Sequence, residues 1–263
     1  MNSGIIQLDI LQFSTVYVLL ILVLAIMKYA KIDQSKLLFV ASLRMSIQLY
    51  LAGLVLTYVF GNPHPLFVVA YLVAMVIFAS HRILKQNQRL NRSFRRRIVM
   101  AIAGCGTLIL VFFVTLVVRT DFFNPQYTIS LGGMIFGNSM TAVNLGLKAF
   151  TQNLDQERAK SETLLNAGIE PKAILMPHVK NGLEMAFIPT LNSMLNMGII
   201  ALPGVMTGQI LSGTLPLTAI MYQIAIMISI ATSVTLTAFA ALYWGYPTLI
   251  SQRKQITWYQ HEQ

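Results

Sequence analysis

Charge is what this sequence has least of: only 11% of its 263 residues are Asp, Glu, Lys or Arg, and just nine are acidic. A soluble domain carries roughly 25%. No carboxylate occurs between residues 37 and 120. An ion-coupled secondary transporter of a metal or small solute is the alternative class, and it is expected to show an acid inside a span or a pair of inverted repeats. The acid-free stretch and the lack of a repeat count against it. The single cysteine, Cys105, lies in an apolar run, which excludes an intrachain disulfide or thiolate cluster and leaves it a small buried hydrophobe. No HExxH or Ser-His constellation is present for an intramembrane enzyme, and His64, His81 and His178 are too scattered to make a site. The phosphate-binding pattern GxxxxGK[ST] is missing too, so any ATP-driven process needs its nucleotide site on another chain.

What the chain has is hydrocarbon. Hydrophobic residues make up 56% of it, with a mean hydropathy of +0.65. The expected fold is therefore all-α, a single polytopic membrane domain over residues 1–263 in the plasma or inner membrane. Seven spans fit: Asp9 to Met27, Leu37 to Phe60, Pro65 to Ser80, Ile98 to Val118, Leu131 to Phe150, Met185 to Leu202 and Leu217 to Tyr243. The third is short, and a re-entrant hairpin with the second is the other reading. The first ten residues carry only Asp9, whereas a cleaved signal peptide has its positive charges before the apolar run, so the first span is expected to be retained.

The net charge of +10 invites a nucleic-acid reading, but seven of the nineteen Lys and Arg sit between Arg82 and Arg97, beside a span. A loop against anionic lipid accounts for them without nucleic acid. Basic residues also mark Lys28 to Lys36, Thr151 to Lys180 and the tail at Arg253 and Lys254, while the alternate connections are nearly neutral. Positively charged loops stay in the cytoplasm, so the N-terminus is expected outside and the C-terminus inside.

The chain is organised around Gly132 to Pro216, where two polar, glycine-punctuated spans flank the one hydrophilic stretch of mixed charge. An unpartnered amide in hydrocarbon costs kilocalories, so Asn138, Asn144, Asn192 and Asn196 should face protein, water or substrate. With Met140, Met194, Met206 and Gln209, and with Arg44 and Gln48 one turn apart on the second span, they are the candidate translocation path. Amide oxygens and thioethers bind a partly dehydrated metal weakly enough to release it. Core packing is the competing role for the methionines, interhelical glue for the amides and snorkelling for Arg44. The GxxxG pairs Gly133–Gly137 and Gly204–Gly208 suit close helix packing. Glu184, the one acid near an inner membrane boundary, is either a metal-receiving carboxylate or an anion at a helix start. Pro203-Gly204 is expected to break the sixth span.

The connector over residues 151–182 reads as a helix stopped by Gly168, followed by a short second helix from Pro171 to Met176. A helix, a glycine turn and a helix on a cytoplasmic face make a docking element, with Glu162, Leu165, Gly168 and Pro171 as its coupling residues. GMIFGNSMTAVNLGL from Gly133, ETLLNAGIEPKA from Glu162 and IPTLNSMLNMGIIALPGVMTGQILSGTLPLTAIMYQI from Ile188 together resemble the FetB family of ABC permeases. That family includes bacterial iron-export permeases and plant relatives linked to aluminium tolerance. ASLRMSIQLYLAGLVL from Ala41 matches its second span, so the resemblance covers nearly the whole chain. LNMGIIALPGV departs from the more valine-rich run of relatives. The resemblance implies a non-enzymatic permease, homodimeric in the bilayer, exporting iron or a related metal with ATP hydrolysed by a separate ATPase subunit.

Overall fold

The computed structural model describes residues 9–251, 253 and 255–257, and all the extended elements among them are helical. In chain order they are α1 (Ile10–Tyr29), α2 (Ser35–Gly61), α3 (Pro65–Gln86), α4 (Arg92–Phe112), α5 (Pro125–Gln156), α6 (Arg158–Asn166), α7 (Pro171–Asn196), α8 (Gly204–Leu211) and α9 (Pro216–Gly245). A π-turn, Phe113–Val117, prolongs α4, and a 3₁₀ turn, Tyr246–Leu249, follows α9.

Local chemistry sets these boundaries. Proline opens α3, α5, α7 and α9, where its missing N–H would have had no helical partner. Asn91 and Asn124 cap α4 and α5, accepting from the N–H groups of Phe94 at 2.7 Å and Gln126 at 3.1 Å. Gly168 closes α6 with φ +85°, a conformation that any side chain would strain.

Among the described residues, five helices are long and apolar enough to cross a membrane: Leu11–Tyr29, Ser35–Gly61, Pro65–Gln86, Arg92–Val117 and Pro216–Leu249. The third span is thus a full-length helix. At 32 and 26 residues, α5 and α7 run roughly 48 and 39 Å at 1.5 Å per residue, and their amides, glycines and charges lower their hydropathy.

The core joins α3, α4, α5, α7 and α9, with Phe94, Phe150, Leu110, Leu147, Leu175 and Leu242 fully buried. Apolar burial drives helix association only weakly in lipid, so close approach at small residues has to carry it. Where α5 crosses α7, a Cβ on Gly146 would lie 2.7 Å from the carbonyl oxygen of Gly182. A Cβ on Gly245 of α9 would collide with the Phe94 ring of α4. The expected GxxxG pairs do not play this part within the chain. A Cβ on Gly137, Gly204 or Gly208 meets nothing within 4 Å. Apart from this core, α1 and α2 form a hairpin packed chiefly on itself, joined by a 2.7 Å hydrogen bond between the Tyr17 and Ser46 hydroxyls.

Three expectations are corrected. The basic stretch from His81 to Arg97 is mostly helix, because α3 continues to Gln86 and Asn91 caps α4 immediately before Arg92. The short helix Pro171–Met176 is the opening of α7, which runs unbroken through Pro177 and Pro189 to Asn196. Packing on α5 and α9 outweighs the backbone bonds those prolines remove. The break after α7 lies over Met197–Leu202, ahead of Pro203-Gly204, at Gly198 with φ +87°. Pro203 is instead the residue flanking the start of α8.

Candidate functional site

Two groups of the sequence-derived residues can be followed, one along the helices and one at the α6 end of the bundle. On α5, Asn138 is exposed and donates its Nδ2 to the carbonyl of Met134 at 2.8 Å, within its own helix. Asn144 lies six residues on and points elsewhere, its Oδ1 accepting from Asn87 Nδ2 of α3 at 3.1 Å. Asn87 is buried and also donates to Ile83 O at 3.0 Å. The two α5 amides therefore serve different surfaces. Asn138 faces outward, and Asn144 ties α5 to α3.

Beyond Ala186, α7 buries no residue. Asn192, Met194 and Asn196 all stand exposed on this outer half, and the loop after it bares Ile199 and Ile200. Met197 half-buries and accepts a long 3.7 Å contact from Gln223 Nε2 of α9. Met206 is buried, as is the Oε1 atom of Gln209, which has no hydrogen-bond partner among the described residues. Gln223 Oε1 is in the same condition. Met140 and Met134 pack against the core. Arg44 and Gln48 are exposed on α2, away from the core, while Ser42 and Ser46 turn toward α1 and line an apolar groove with Tyr17.

Glu184 lies exposed in the middle of α7. The helix-start role weighed for it is therefore corrected, since Glu170 flanks the first turn of that helix. Among the described residues no group of three or more His, Cys, Asp or Glu assembles for a metal.

The connector residues converge. Glu162, Leu165, Gly168 and Pro171 line one groove of about 970 Å³, together with Glu170, Arg253 and Gln255. Glu162 accepts from Arg158 Nε at 2.9 Å on the exposed face of α6. A surface pair of this kind contributes about 0.3–0.5 kcal/mol, enough to favour the helix and too little to fix the groove. Behind α6, His178 is buried near the start of α7. Burial pulls its imidazole pKa below the ordinary histidine value, Glu157 opposes that pull, and Lys160 adds to it.

Residues 10–250 match UPF0014, described as an uncharacterised protein family. The chain belongs to that family. It is 28% identical over 253 residues to the UPF0014 membrane protein YjkA of Bacillus subtilis (strain 168), covering 95% of this chain and 98% of the relative. The probable iron export permease protein FetB of Escherichia coli (strain K12) is 27% identical over 213 residues, 81% of each chain. Protein ALUMINUM SENSITIVE 3 of Arabidopsis thaliana is 27% identical over 213 residues, 81% of this chain and 77% of the relative. No solved structure matches. For this member of the family, then, the polar face of α5 and α7 and the groove at α6 are the features to explain.

Several of the residues that build these features escaped the sequence reading. Asn87 was hidden among basic residues read only for their charge, and Gln223 was the lone amide of an otherwise apolar stretch, a signal that was available. Ser139 and Ser233, buried and 3.0 Å apart between α5 and α9, carry no local pattern. Arg97, whose guanidinium donates to the carbonyl of Trp244, seals the α4–α9 contact beside Asn91, which donates to Thr248 O at 2.8 Å.

Proposed function

We propose that the chain is the permease subunit of an ABC exporter, a single domain over residues 1–263 that moves iron or a related metal out of the cytoplasm. ATP is bound and hydrolysed by a separate ATPase subunit. One observation carries this reading: the four connector residues singled out as a coupling element share one groove at the tip between α6 and α7. From that tip α7 continues as one helix through Pro177 and Pro189 to Asn192 and Asn196, which gives a displacement of the tip a direct route to the polar face. The relative named a probable iron export permease supports metal as the cargo.

In this reading α5 and α7 join the five apolar helices as spans, giving seven, with the N-terminus outside and α6 and the C-terminus in the cytoplasm of the plasma or inner membrane. The functional unit is a homodimer. Exposed amides in hydrocarbon are costly, and Asn138, Asn192 and Asn196 are exposed with no side-chain bond to another helix among the described residues. A second copy related by two-fold symmetry covers them, aided by the open space at Gly137, and encloses a polar path. Met194, Met206 and Gln209 border that path at its outer end. Arg44 and Gln48, exposed on α2, remain candidates for it, and Glu184 offers a carboxylate at the inner mouth. The test is metal export from cells carrying the permease with its ATPase, against Asn192→Leu and Asn138→Leu. Loss of export with normal membrane insertion supports the path, and full export in both variants removes it.

A further inference from the structure

The segment after α9 does not trail away from the bundle. Thr257 donates its backbone N–H and its hydroxyl to the carbonyl of Leu249, at 2.7 and 2.8 Å. Ser251 N–H donates to Gln255 O at 2.8 Å, and Ile250 and Ile256 form an antiparallel bridge. The chain thus doubles back on itself, and Ile256 is driven into the core, only 5% exposed beside Leu249 at 1%. An isoleucine seated in the core anchors the fold-back more firmly than its few backbone bonds do. The anchoring has a consequence for its neighbours. With Ile256 buried, Arg253 and Gln255 stay exposed and form one wall of the groove whose other wall is Glu162, Leu165 and Glu170.

We propose that this fold-back is a built part of the docking surface for the ATPase subunit, a second wall that the connector needs to hold its partner. The proposal rests on the ATPase-partner reading above. The groove offers a guanidinium and a side-chain amide on one wall and two carboxylates on the other. At about 970 Å³ and open to one side it is far larger than an ion or a water requires, and its lining is polar. Its occupant is a protruding segment of the ATPase that presents a cation to Glu170, a carboxylate to Arg253 and an apolar side chain to Leu165. Such a mixed pattern selects by register of charge rather than by net charge.

The experiment measures binding of candidate ABC ATPase subunits from the same organism to the full-length permease in nanodiscs, with amide hydrogen exchange followed at Ser251 and Thr257. The double variant Arg253→Ala, Gln255→Ala should weaken binding about tenfold or more while the two amides stay protected. Ile256→Ala should loosen the amides and weaken binding together. Both tail variants binding within about twofold of the unaltered chain, while Glu170→Lys weakens it, would overturn the second wall and leave ATPase docking standing. An unaltered permease that binds no ATPase overturns the partner reading and this inference with it.

Discussion

Gly146 and Gly182 meet backbone to backbone where α5 crosses α7: a Cβ on either would lie 2.7 or 2.8 Å from the other's carbonyl oxygen. No side chain can turn out of the way, because the obstructing atoms are main chain. The crossing joins the helix that carries Asn138 to the helix that carries Asn192, and so fixes how the two polar faces stand to each other.

Replacing Gly146 by Val forces the helices apart and should destabilise the protein by about 1–3 kcal/mol, the usual range for overpacking. Thermal unfolding in detergent checks this. Gly137→Val is the control, since a Cβ there meets nothing within 4 Å, and its unfolding midpoint should hardly move in the monomer.

The Asn87–Asn144 bond is the second joint. Asn144→Leu leaves the buried Asn87 amide with Ile83 O alone and should lower stability by roughly 0.6 kcal/mol and at most about 1.7, the average and the maximum measured for hydrogen bonds between membrane helices. Combining it with Asn87→Leu should give less than the sum of the single effects, because the second change removes an already orphaned group. Strict additivity in that cycle would mean the two amides do not act as a pair.

The pattern of what the sequence disclosed follows from which forces are local. Hydropathy placed five of the spans to within about six residues at their ends, since a bilayer demands an apolar helix of fixed length whatever it packs against. Gly168 was legible for the same reason: a positive φ is a property of one residue. Gly146, Gly182 and Gly245 were not, because a glycine that admits a neighbouring helix looks like any other until the neighbour is in place. The GxxxG spacing drew attention to the wrong glycines for contacts within the chain. Asn144 was singled out for its chemistry, but its partner Asn87 lies 57 residues away, a distance over which no pattern speaks. The tail's role was likewise invisible, since Ile256 is one apolar residue among polar ones until the groove is formed.

His178 gives the fold a pH dependence. Burial holds its imidazole below the ordinary pKa, so the unfolded chain takes up the proton first as pH falls. Its contribution to stability is complete above the unfolded value of about 6.5 and is lost as pH drops through the lower folded value. Unfolding midpoints recorded from pH 7.5 to 5 should decline, and His178→Gln should flatten the decline. Equal slopes in both proteins would exclude this histidine as the cause.

Outward amides should behave differently from inward ones. Asn138→Leu and Asn192→Leu break no bond to another helix, so stability should change by less than about 0.5 kcal/mol while export falls sharply. Loss of folding in either variant, rather than loss of export, would reassign it to packing.

The most direct test of the account reconstitutes the purified permease in proteoliposomes, with and without an ABC ATPase subunit that co-purifies with it, and follows iron movement. Iron should cross only when the ATPase and ATP are both present on the face that carries α6. Iron crossing through the permease alone, driven by an imposed ion gradient, would contradict it.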